Sequence, residues 1–521
     1  MRTRRFRLTK AAKALIFILV TVLIVGGAFT ALKTGFVKWN SDKKDVKTTA
    51  TVKKKKIDTK DSTINLSLDE WIGWKSVIDA NGGLTTKKGS IYDKLGIKVN
   101  IKVMNDATQS SNALIKGHLN AAGYTVNRTA FLSSKFKAAG LDVVMPYITN
   151  YSNGGDGIIA TDKFKNVESL VNAKIGVPKF SEAHSLVVWF VNQSDLPSSD
   201  KKKIIDNLIF FDTPDEVAKA FFAGKLDVAA TWQPYLSQAQ TTSNCHVLFS
   251  TANSSKLIMD GIVFRDDFAK SNKETVTKFI EGALQAADKY DTDFDAIKDT
   301  MPMFSGMSDS EIKETTKDAT LTSWSTNKKT LEEEAPITFD NMCDVWKSVG
   351  ESVDRNIVKT LFDTSYADSL EDKYKTESTE TSINKVEVTN ENKEEVIDTE
   401  ALLTKSATVN FMINTAKFTD TAEASKTLDS FIKVAKVLDG TIIQIEGNTD
   451  PNPNSDPKDK ANKMLSTQRA ETVKKYFVMN GISADRIITI GNGSKKPVVK
   501  NDTEKHRAMN RRTDVSFKCI E

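Results

Sequence analysis

Cysteine is scarce in this sequence. Of the 521 residues only three are cysteine, Cys245, Cys343 and Cys519, and they lie far apart along the chain. A disulfide framework needs an even number of cysteines, and a structural zinc site needs paired Cys or His ligands a few residues apart. The sequence therefore predicts neither of these, and we expect no metal and no cofactor.

Excess positive charge is absent from most of the chain. Residues 1 to 60 contain 16 lysines and arginines against 3 aspartates, whereas the whole chain has a net charge of +5, so the remainder is acidic. A nucleic-acid-binding domain would carry its basic residues on a folded face. We therefore expect no nucleic-acid partner.

One long apolar run lies near the N-terminus. Ala14 to Leu32 contains 19 residues without an ionisable side chain, close to the length that crosses a hydrocarbon core of about 30 Å. The basic residues of segment 1–13 would keep the N-terminus in the cytoplasm. Residues 14–32 are thus predicted to be an uncleaved transmembrane anchor, with a cleaved signal sequence as the alternative. Everything that follows would be extracytoplasmic, in the periplasm or the cell wall.

Two stretches have the composition of linkers. Residues 33–62 and 370–403 are rich in charge, Thr, Ser and Asn, and have almost no apolar periodicity. Such segments bury too little apolar surface to fold alone. They divide the extracytoplasmic part into a domain at 63–369 and a second domain at 404–521.

The first of these domains contains an internal repeat. Residues 113–122 (ALIKGHLNAA) and 220–229 (AFFAGKLDVA) both predict a helix that ends at glycine and is followed by a short strand. In open α/β sheets, ligands bind beyond the carboxyl ends of the strands. Tyr124, Trp232 and Gln233, which follow or end these two strands, are therefore predicted to face a common cleft between two lobes.

The order of several motifs resembles the periplasmic substrate-binding proteins of ABC importers, in the sulfonate, taurine, nitrate and thiamine-precursor group. These motifs are LGI followed by GHLNAAG, NGGDGI at residues 153–158, NVESLVNAKIGVPKFSEAHSLV, AFFAGKLDVAATWQP and IMDGIVFRDDF. The resemblance implies two lobes that close over a small ligand, and an ABC permease as partner. It departs at Asn120, where the family commonly has Asp.

The start of one predicted helix is a candidate ligand contact. Ser181 and His184 follow the strand KIGVP, and the free amides of a helix N-terminus suit a sulfonate, phosphonate or carboxylate. The alternatives are that Ser181 only caps the helix and that His184 is a structural surface histidine. Trp71 and Asn153 complete the predicted ligand-binding residues, and Trp232 is the first choice among the aromatic ones.

An enzyme related to this fold must also be weighed, because the thiamine-pyrimidine synthase group resembles the same superfamily. Such an enzyme would need a metal cluster or a reactive histidine. The chain has only four histidines and no cysteine cluster. We therefore predict that the protein is not an enzyme and has no catalytic residue.

The C-terminal region predicts a small α/β sandwich, with strands at 408–414, 441–447, 486–490 and 513–518 and helices at 422–438 and 459–480. It resembles the OmpA-like family in GNTD at 447–450, NKMLSTQRA at 462–470, and RAMNRR at 507–512. The resemblance implies that Asp450 and Arg469 grip the diaminopimelate of the peptidoglycan stem peptide. Thr449 and Asn462 belong to the same motifs. The alternative for Arg469 is a salt bridge on the helix surface.

Together these features predict an α/β protein with an N-terminal transmembrane helix, a two-lobed periplasmic-binding-protein-like domain and a C-terminal OmpA-like sandwich. Its predicted function is capture of a small, anionic metabolite for ABC-type import by a receptor tethered to peptidoglycan. The alternative is a mechanical cell-wall tether or a sensor whose lobes feed no transporter.

Overall fold

The computed structural model describes residues 52–374, 386–407, 409, 411–412, 414–451 and 459–519. The predicted transmembrane helix at 14–32 and the basic tail at 1–13 lie outside these residues. Within the described ranges, no helix has both the length and the apolar character needed to cross a bilayer.

Strands and helices alternate along much of the described chain. The strands are β1 (Ile64–Leu68), β2 (Val99–Val103), β3 (Ala121–Thr125), β4 (Val143–Ser152), β5 (Asp156–Thr161), β6 (Ile175–Pro178), β7 (Ile209–Phe211), β8 (Val228–Trp232), β9 (Cys245–Ser250), β10 (Met259–Arg265), β11 (Ala319–Leu321), β12 (Leu403–Ala407), β13 (Ile442–Gly447), β14 (Ile487–Gly491) and β15 (Thr513–Lys518). The α-helices are α1 (Lys75–Asn81), α2 (Ile91–Lys94), α3 (Ala107–Ile115), α4 (Val126–Ala139), α5 (Glu182–Gln193), α6 (Ser198–Asp206), α7 (Pro214–Phe222), α8 (Tyr235–Thr241), α9 (Asp266–Ser271), α10 (Lys273–Ala286), α11 (Asp295–Thr300), α12 (Pro302–Ser305), α13 (Asp309–Thr315), α14 (Trp324–Lys329), α15 (Ala335–Ser348), α16 (Val358–Leu361), α17 (Glu371–Tyr374), α18 (Lys393–Asp398), α19 (Thr421–Val437), α20 (Lys460–Met479) and α21 (Glu504–Asn510).

Two separate sheets form the predicted lobes. The first has six strands in the order β11-β4-β10-β3-β1-β2, and the second has five in the order β7-β6-β8-β5-β9. Strands β1, β2 and β3 are parallel, as are β6, β7 and β8, whereas β10 and β5 run antiparallel to their neighbours. The chain crosses from the first lobe to the second between β4 and β5, and returns between β9 and β10. The two-lobed α/β prediction is confirmed.

The predicted repeat has the same local geometry in both lobes. Gly117 follows α3 with φ 72° and Gly224 follows α7 with φ 71°, a left-handed conformation that glycine adopts without the penalty of a Cβ atom. Each glycine is followed by a central strand, β3 or β8. The two segments therefore place corresponding strand ends in the two lobes, as predicted.

Asn120 occupies the position where the family has Asp. Its Oδ1 accepts a hydrogen bond from Asn65 N at 2.8 Å, and its Nδ2 donates to Thr63 O at 2.9 Å. In the second lobe, Asp227 Oδ2 accepts from Lys174 N at 2.9 Å. Both side chains thus bond the backbone at the start of the neighbouring strand, and the asparagine adds a second bond there.

A long helical segment connects the lobes on one side. Helices α14 and α15 are joined by a π-helical turn, and α15 packs against α4 of the first lobe and α5 of the second. Trp346 on α15 donates from Nε1 to Asn127 O at 3.1 Å, and its ring lies 5.5 Å from that of His184. The two lobes therefore share part of one core.

The C-terminal region is a four-stranded sheet in the order β12-β15-β13-β14. Helix α20 packs against β13 and β14, and α19 packs against α20. Of the strand predicted at 408–414, the described residues 409, 411, 412 and 414 lie in no strand, and the strand that pairs with β15 is β12, in the register Leu403↔Phe517 to Ala407↔Thr513. In that predicted range, Phe411 forms an isolated bridge with Phe418.

The described parts of the predicted linkers contact the domains beside them. Lys54 N and Lys55 N donate to Ala139 O and Ile115 O of the first lobe. Val396 of α18 is buried with Ile442 and Ile488 of the C-terminal sheet. The domain boundaries themselves stay a prediction.

The C-terminal sandwich contacts the segment that returns from the second lobe to the first. Ser255 N donates to Asp439 Oδ1 at 2.9 Å, Ser254 Oγ donates to Val437 O at 3.0 Å, and Gly440 N donates to Asn253 O at 3.1 Å. A Cβ atom at Gly440 would lie 2.4 Å from Ala252 O, so the close approach requires glycine.

Asn120→Ala should destabilise the protein by about 1–3 kcal/mol, because it leaves a buried N–H and a carbonyl without their partner. Asn120→Asp keeps the acceptor for Asn65 N and should recover part of this loss. Urea unfolding of the full-length protein in detergent would measure both. Equal stability of Asn120→Ala and the wild type would show that the two bonds contribute nothing.

Candidate functional site

The space between the lobes is bordered by the ends of strands from both sheets. Asp69 follows β1, Arg128 lies in the first turn of α4 directly after β3, and Glu182 begins α5 after β6. Asp156 begins β5 and Asp260 lies near the start of β10, where the chain crosses between lobes. The fold thus brings five charged residues to one cleft, although they come from distant parts of the sequence.

An ion pair crosses this cleft. Arg128 Nη2 lies 2.5 Å from Glu182 Oε2, and Arg128 Nε donates to Glu182 Oε1 at 2.9 Å. Thr125 Oγ1 donates to the same Oε1 at 2.9 Å. Burial alone would raise the pKa of Glu182, but the Arg128 guanidinium lowers it below its ordinary value. The bidentate geometry fixes the first turn of α4 against the first turn of α5.

Three aspartates lie beside this ion pair. Burial, together with the charges of Glu182 and Asp69, raises the pKa of Asp156 to about 7. Burial and the charges of Asp69, Asp156 and Glu182 raise the pKa of Asp260 well above its usual range. The pKa of Asp69 is also raised, by burial, although Arg128 opposes the shift. In the part of the chain that the structure describes, no lysine or arginine forms an ion pair with these three carboxyl groups.

Hydrogen bonds hold two of the aspartates in place. Trp74 Nε1 donates to Asp69 Oδ1 at 2.7 Å, and Ser152 Oγ donates to Asp156 Oδ2 at 2.7 Å. The Ser152 hydroxyl also lies 2.9 Å from Thr251 Oγ1, so it connects the two crossing segments. The orientation of Asp156 therefore depends on the geometry of the hinge.

The predicted anion contact at the start of α5 has a different environment from the one expected. Ser181 caps the helix, accepting from His184 N at 3.2 Å and donating to Pro178 O at 2.7 Å. The next residue is Glu182, whose carboxylate already faces the N-terminus of α4. A second anion would meet this carboxylate and the three aspartates, and the arrangement disfavours the predicted anionic ligand.

His184 is buried, so its assignment as a surface histidine is wrong. Its side chain accepts a hydrogen bond from Phe180 N through Nδ1 at 3.2 Å, and among the described atoms Nε2 has no partner. Its ring packs against Phe210 and Trp346. Burial, with a contribution from Lys179, lowers the pKa of His184 to about 4. The neutral imidazole is thus a part of the core shared with α15.

The predicted aromatic residues are divided between core and cleft. Tyr124 is buried and its hydroxyl lies 2.8 Å from Ser110 Oγ. Trp71 is half-buried, donates to Asn150 Oδ1 at 3.1 Å, and packs so closely on Gly155 that a Cβ there would lie 2.5 Å from the ring. Trp232 is half-buried and pairs with Asp156 across β8 and β5. Trp71, two residues after Asp69, and Trp232, opposite Asp156 in the sheet, therefore lie near acidic residues of the two lobes.

Two cavities lie near these residues. One of about 340 Å³ is lined by Asn153 and Gln233 together with Asp318 and Ser250, beside the first crossing segment. The other, of about 10 Å³, is lined by Ser67, Asp69, Tyr124 and Arg128. The structure thus brings Asn153 and Gln233 together but separates them from Tyr124.

Sequence reasoning missed the charged residues of the cleft. Each stands in a motif that the sequence displays, in LDEW, GGDG, FSEA and IMDG, and Arg128 follows YTVN. The available signal was an acidic residue next to each predicted strand end. Their convergence could not be read from the sequence, because it depends on how β4, β5, β9 and β10 cross between the lobes.

The C-terminal sandwich contains the second candidate site. Asp450 Oδ2 lies 3.1 Å from Arg511 Nη1, and Arg511 Nη2 lies 2.6 Å from Glu504 Oε1. Although burial acts in the opposite sense, these two carboxylates raise the pKa of Arg511. Arg511 belongs to the motif RAMNRR but is not among the predicted peptidoglycan-binding residues, and it holds the predicted carboxylate in place.

Arg469 lies close enough to Asp450 and Arg511 for both charges to act on it. Burial and the charge of Arg511 lower the pKa of Arg469, while Asp450 opposes that shift. Its guanidinium stacks 4.9 Å from the centre of the Phe411 ring, and Nε donates to Thr415 O at 3.1 Å. Only 8% of Arg469 is exposed, and it forms no ion pair with any described residue. Its assignment as a surface salt bridge is therefore wrong.

Thr449 and Asn462 have different roles at this site. Thr449 is buried, and no described group bonds its Oγ1, while its backbone N donates to Gly493 O at 2.9 Å. Asn462 Nδ2 donates to Asp459 Oδ1 at 2.8 Å, and Asp459 Oδ2 accepts from Ser494 N at 2.7 Å. Asn462 thus holds Asp459, the residue directly before α20, whereas the Thr449 hydroxyl beside Asp450 has no partner among the described residues.

The described ranges contain no group of three or more His, Cys, Asp or Glu side chains arranged to hold a metal ion. The geometry defines a two-lobed α/β domain with a charged cleft, followed by a small sandwich in which a buried arginine lies beside an aspartate.

Two protein families match these parts of the chain. Residues 83–291 match the NMT1/THI5 like family, and residues 410–511 match the OmpA family. The peptidoglycan-associated lipoprotein of Buchnera aphidicola is 30% identical over 138 residues, which cover 26% of this chain and 76% of that protein. Through its C-terminal region, the chain belongs to the OmpA family.

Other relatives cover different parts of the chain. Outer membrane protein A of Bordetella avium is 37% identical over 95 residues, 18% of this chain and 47% of that protein, so the chain spans about half of its length. The periplasmic aliphatic sulphonate binding protein SsuA from Escherichia coli is 16% identical, with a TM-score of 0.46, and the match covers 58% of this chain and 98% of that chain.

Asp156→Asn should change how stability depends on pH. The folded protein holds the Asp156 proton up to a pH of about 7, whereas the unfolded chain loses it near the ordinary pKa of 3.8. The stability contributed by the protonated group is therefore present at low pH and lost as the pH rises from about 4 to about 7. Asparagine stays neutral at every pH. The free energy of unfolding of the variant, relative to that of the wild type, should therefore rise by about 1 kcal/mol per pH unit between pH 5 and 7.

Urea unfolding of the full-length proteins at pH 5, 6, 7 and 8 measures this difference. Asp212→Asn, the same substitution at an exposed position, is the matched control and should show no pH-dependent difference. A constant difference between Asp156→Asn and the wild type would contradict the raised pKa.

Proposed function

We propose that this chain is a solute-binding protein of the cell envelope, anchored in the membrane and retained on peptidoglycan. The observation that carries the first half is the cleft between two lobes, where charged and aromatic side chains from both lobes converge on strand ends. The match of residues 83–291 to the NMT1/THI5 like family supports the same role. In this proposal the lobes capture a small molecule for an ABC permease, and the protein catalyses no reaction.

The peptidoglycan half of the proposal rests on Asp450 and Arg469. A diaminopimelate side chain carries both an ammonium and a carboxylate, so it suits a carboxylate beside a guanidinium. The free hydroxyl of Thr449 adds a donor next to Asp450. The relative from Buchnera is a peptidoglycan-associated lipoprotein, which supports wall binding by the region that it matches.

The proposed arrangement in the envelope follows from the sequence. Residues 14–32 would anchor the chain with residues 1–13 in the cytoplasm, and the linker at 33–62 would carry the solute-binding domain at 63–369. A second linker at 370–403 would lead to the wall-binding domain at 404–521. The whole of the chain after the anchor would then lie outside the cytoplasmic membrane.

One observation favours a second candidate, a mechanical tether or a sensor that feeds no transporter. The Arg128–Glu182 ion pair already joins the two lobes with side chains of the protein itself. A domain that is closed by its own residues could serve as a rigid spacer between membrane and wall. Binding of a small molecule to the cleft separates this candidate from the first.

Trp232→Ala should weaken small-molecule binding by about 1–3 kcal/mol, because the side chain borders the cleft beside Asp156. The probes are methanesulfonate, methylphosphonate, nitrate, cytosine and choline, so that anions, a neutral base and a cation are all represented, and thermal unfolding of the full-length protein in detergent reports which of them binds. The melting temperature without a probe should be nearly unchanged, and Trp232→Phe should retain binding. Loss of the fold in Trp232→Ala, with binding intact in Trp232→Phe, would assign Trp232 to the core.

Asp450→Ala and Arg469→Ala should each nearly abolish sedimentation of the protein with purified diaminopimelate-type sacculi. Removing either side chain leaves one charge of the bound diaminopimelate, its ammonium or its carboxylate, partly desolvated without a partner, which typically costs about 2–5 kcal/mol. The double variant should be hardly weaker than either single one, because both groups act on the same bound side chain. Lysine-type sacculi lack the second carboxylate and should bind weakly to the wild type.

The matched control is Lys475→Ala, which removes a positive charge from an exposed position on the same helix as Arg469. It should sediment like the wild type. Equal binding to both types of sacculi, with Arg469→Ala harmless, would show that this pair does not recognise diaminopimelate.

A further inference from the structure

The cleft has a marked imbalance of charge. It contains four carboxyl groups, those of Asp69, Asp156, Glu182 and Asp260, beside the guanidinium of Arg128, which is bound in two places by Glu182. No other basic side chain within the described ranges neutralises the three aspartates. Burying an ionised carboxyl group without a partner is strongly unfavourable, so this cluster favours a positively charged occupant.

We propose that the cleft binds a small organic cation, whose positive charge lies near the carboxyl groups of Asp69, Asp156 and Asp260. This inference rests on the proposed function of the lobes as a solute-binding domain, and it replaces the anionic ligand that the sequence predicted. The three carboxyl groups come from the first lobe, from the start of the second lobe and from the returning strand. A cation between them would therefore stabilise the closed arrangement of both lobes.

A second observation, beside Asp69 and Arg128, also calls for a ligand. Ser67 on β1 is buried, with 2% of its surface exposed, and its Oγ has no hydrogen-bond partner among the described atoms. It lines the cavity of about 10 Å³ that Asp69, Tyr124 and Arg128 also line. A buried hydroxyl without a partner costs free energy, and an N–H donor of a ligand would satisfy it.

The surroundings favour an organic cation over a metal ion. Within the described residues no three carboxylates or imidazoles are arranged to coordinate an ion. The acidic groups instead lie near two half-buried tryptophans, Trp71 and Trp232, the second of which pairs with Asp156 across β8 and β5, and an indole ring can attract an ammonium. Trp71 packs on Gly155, one residue before Asp156, so a ring and a carboxylate stand side by side at the hinge.

A ligand could enter the site when the Arg128–Glu182 ion pair opens. The cavity beside Ser67 has room for about one water-sized group, so a larger ligand requires the lobes to separate. Separation breaks the bonds of Glu182 to Arg128 and Thr125, which are polar contacts across the cleft. A cation that closes the lobes again would restore this ion pair and neutralise the aspartates together.

Thermal unfolding of the full-length protein in detergent tests the proposal with probes matched in shape. Choline, putrescine and agmatine are the cations, 3,3-dimethylbutan-1-ol is the neutral isostere of choline, and methanesulfonate and nitrate are the anions. At a few millimolar, at least one cation should raise the melting temperature by about 2 °C or more, because a ligand of the folded state stabilises it. The neutral isostere and the anions should leave it unchanged.

The double variant Asp156→Asn with Asp260→Asn identifies the binding groups. It should lose the shift caused by the cation, while its own melting temperature at pH 8 should equal or exceed that of the wild type, because the variant no longer buries the ionised Asp156 carboxyl group without a partner. Asp212→Asn, at an exposed position, should keep the shift. A shift that persists in the double variant would overturn the assignment of the site.

The remaining outcomes separate this inference from the proposed function. Stabilisation by methanesulfonate or nitrate, and by none of the cations, would overturn the cationic ligand and leave the solute-binding function standing. Stabilisation by 3,3-dimethylbutan-1-ol as strong as that by choline would also overturn it, since charge would then contribute nothing. No shift with any cation, anion or cytosine would overturn both proposals and favour the mechanical tether.

Discussion

The ion pair between Arg128 and Glu182 determines both the geometry and the charge of the interlobe cleft. Taking two ions out of water is costly, and this cost is offset only when the geometry is good and the remaining lone pairs are bonded. Here the contact is bidentate and Thr125 adds a third hydrogen bond to Glu182. Because Glu182 engages the guanidinium that borders the cleft, the neighbouring aspartates are left without a counterion among the described residues. The closed lobes and the acidic cleft are thus consequences of the same contact.

The sequence predicted the local geometry of single segments, but not which distant residues meet in the interlobe cleft. The repeat was predictable because Gly117 and Gly224 each end a helix in the left-handed conformation, a requirement that the residue type itself expresses. The start of α5 was equally visible, and Ser181 does cap it, yet the meaning of the site depends on Glu182 facing Arg128. These residues are brought together by two crossing segments, and nothing in the neighbourhood of either residue in the sequence specifies that contact.

At the C-terminal site, too, the residues of the motif could be predicted but their contact partners could not. Family resemblance was enough to single out Asp450 and Arg469, which lie close together in the structure. It did not identify Arg511 as the partner of Asp450, because the pair joins the end of β13 to the segment after α21. The misplaced strand at 408–414 has a related cause. Its alternating pattern resembles that of a strand, but the register with β15 is set by Leu403 to Ala407, where Leu403 is buried under the sheet.

The two proposed sites are mechanically connected through the hinge. The C-terminal sandwich bonds residues 253–255, which belong to the segment between β9 and β10, and Thr251 in that segment contacts Ser152, the partner of Asp156. Opening of the lobes has to change the backbone of the two crossing segments, since β5 and β9 are joined to the first sheet through them. A motion that separates Arg128 from Glu182 must therefore either carry the sandwich with it or break the bonds to Asp439. If the sandwich is bound to the cell wall, that contact would resist a motion that carries the sandwich with the lobe. Release of a ligand from the cleft and attachment of the sandwich to peptidoglycan would then depend on each other.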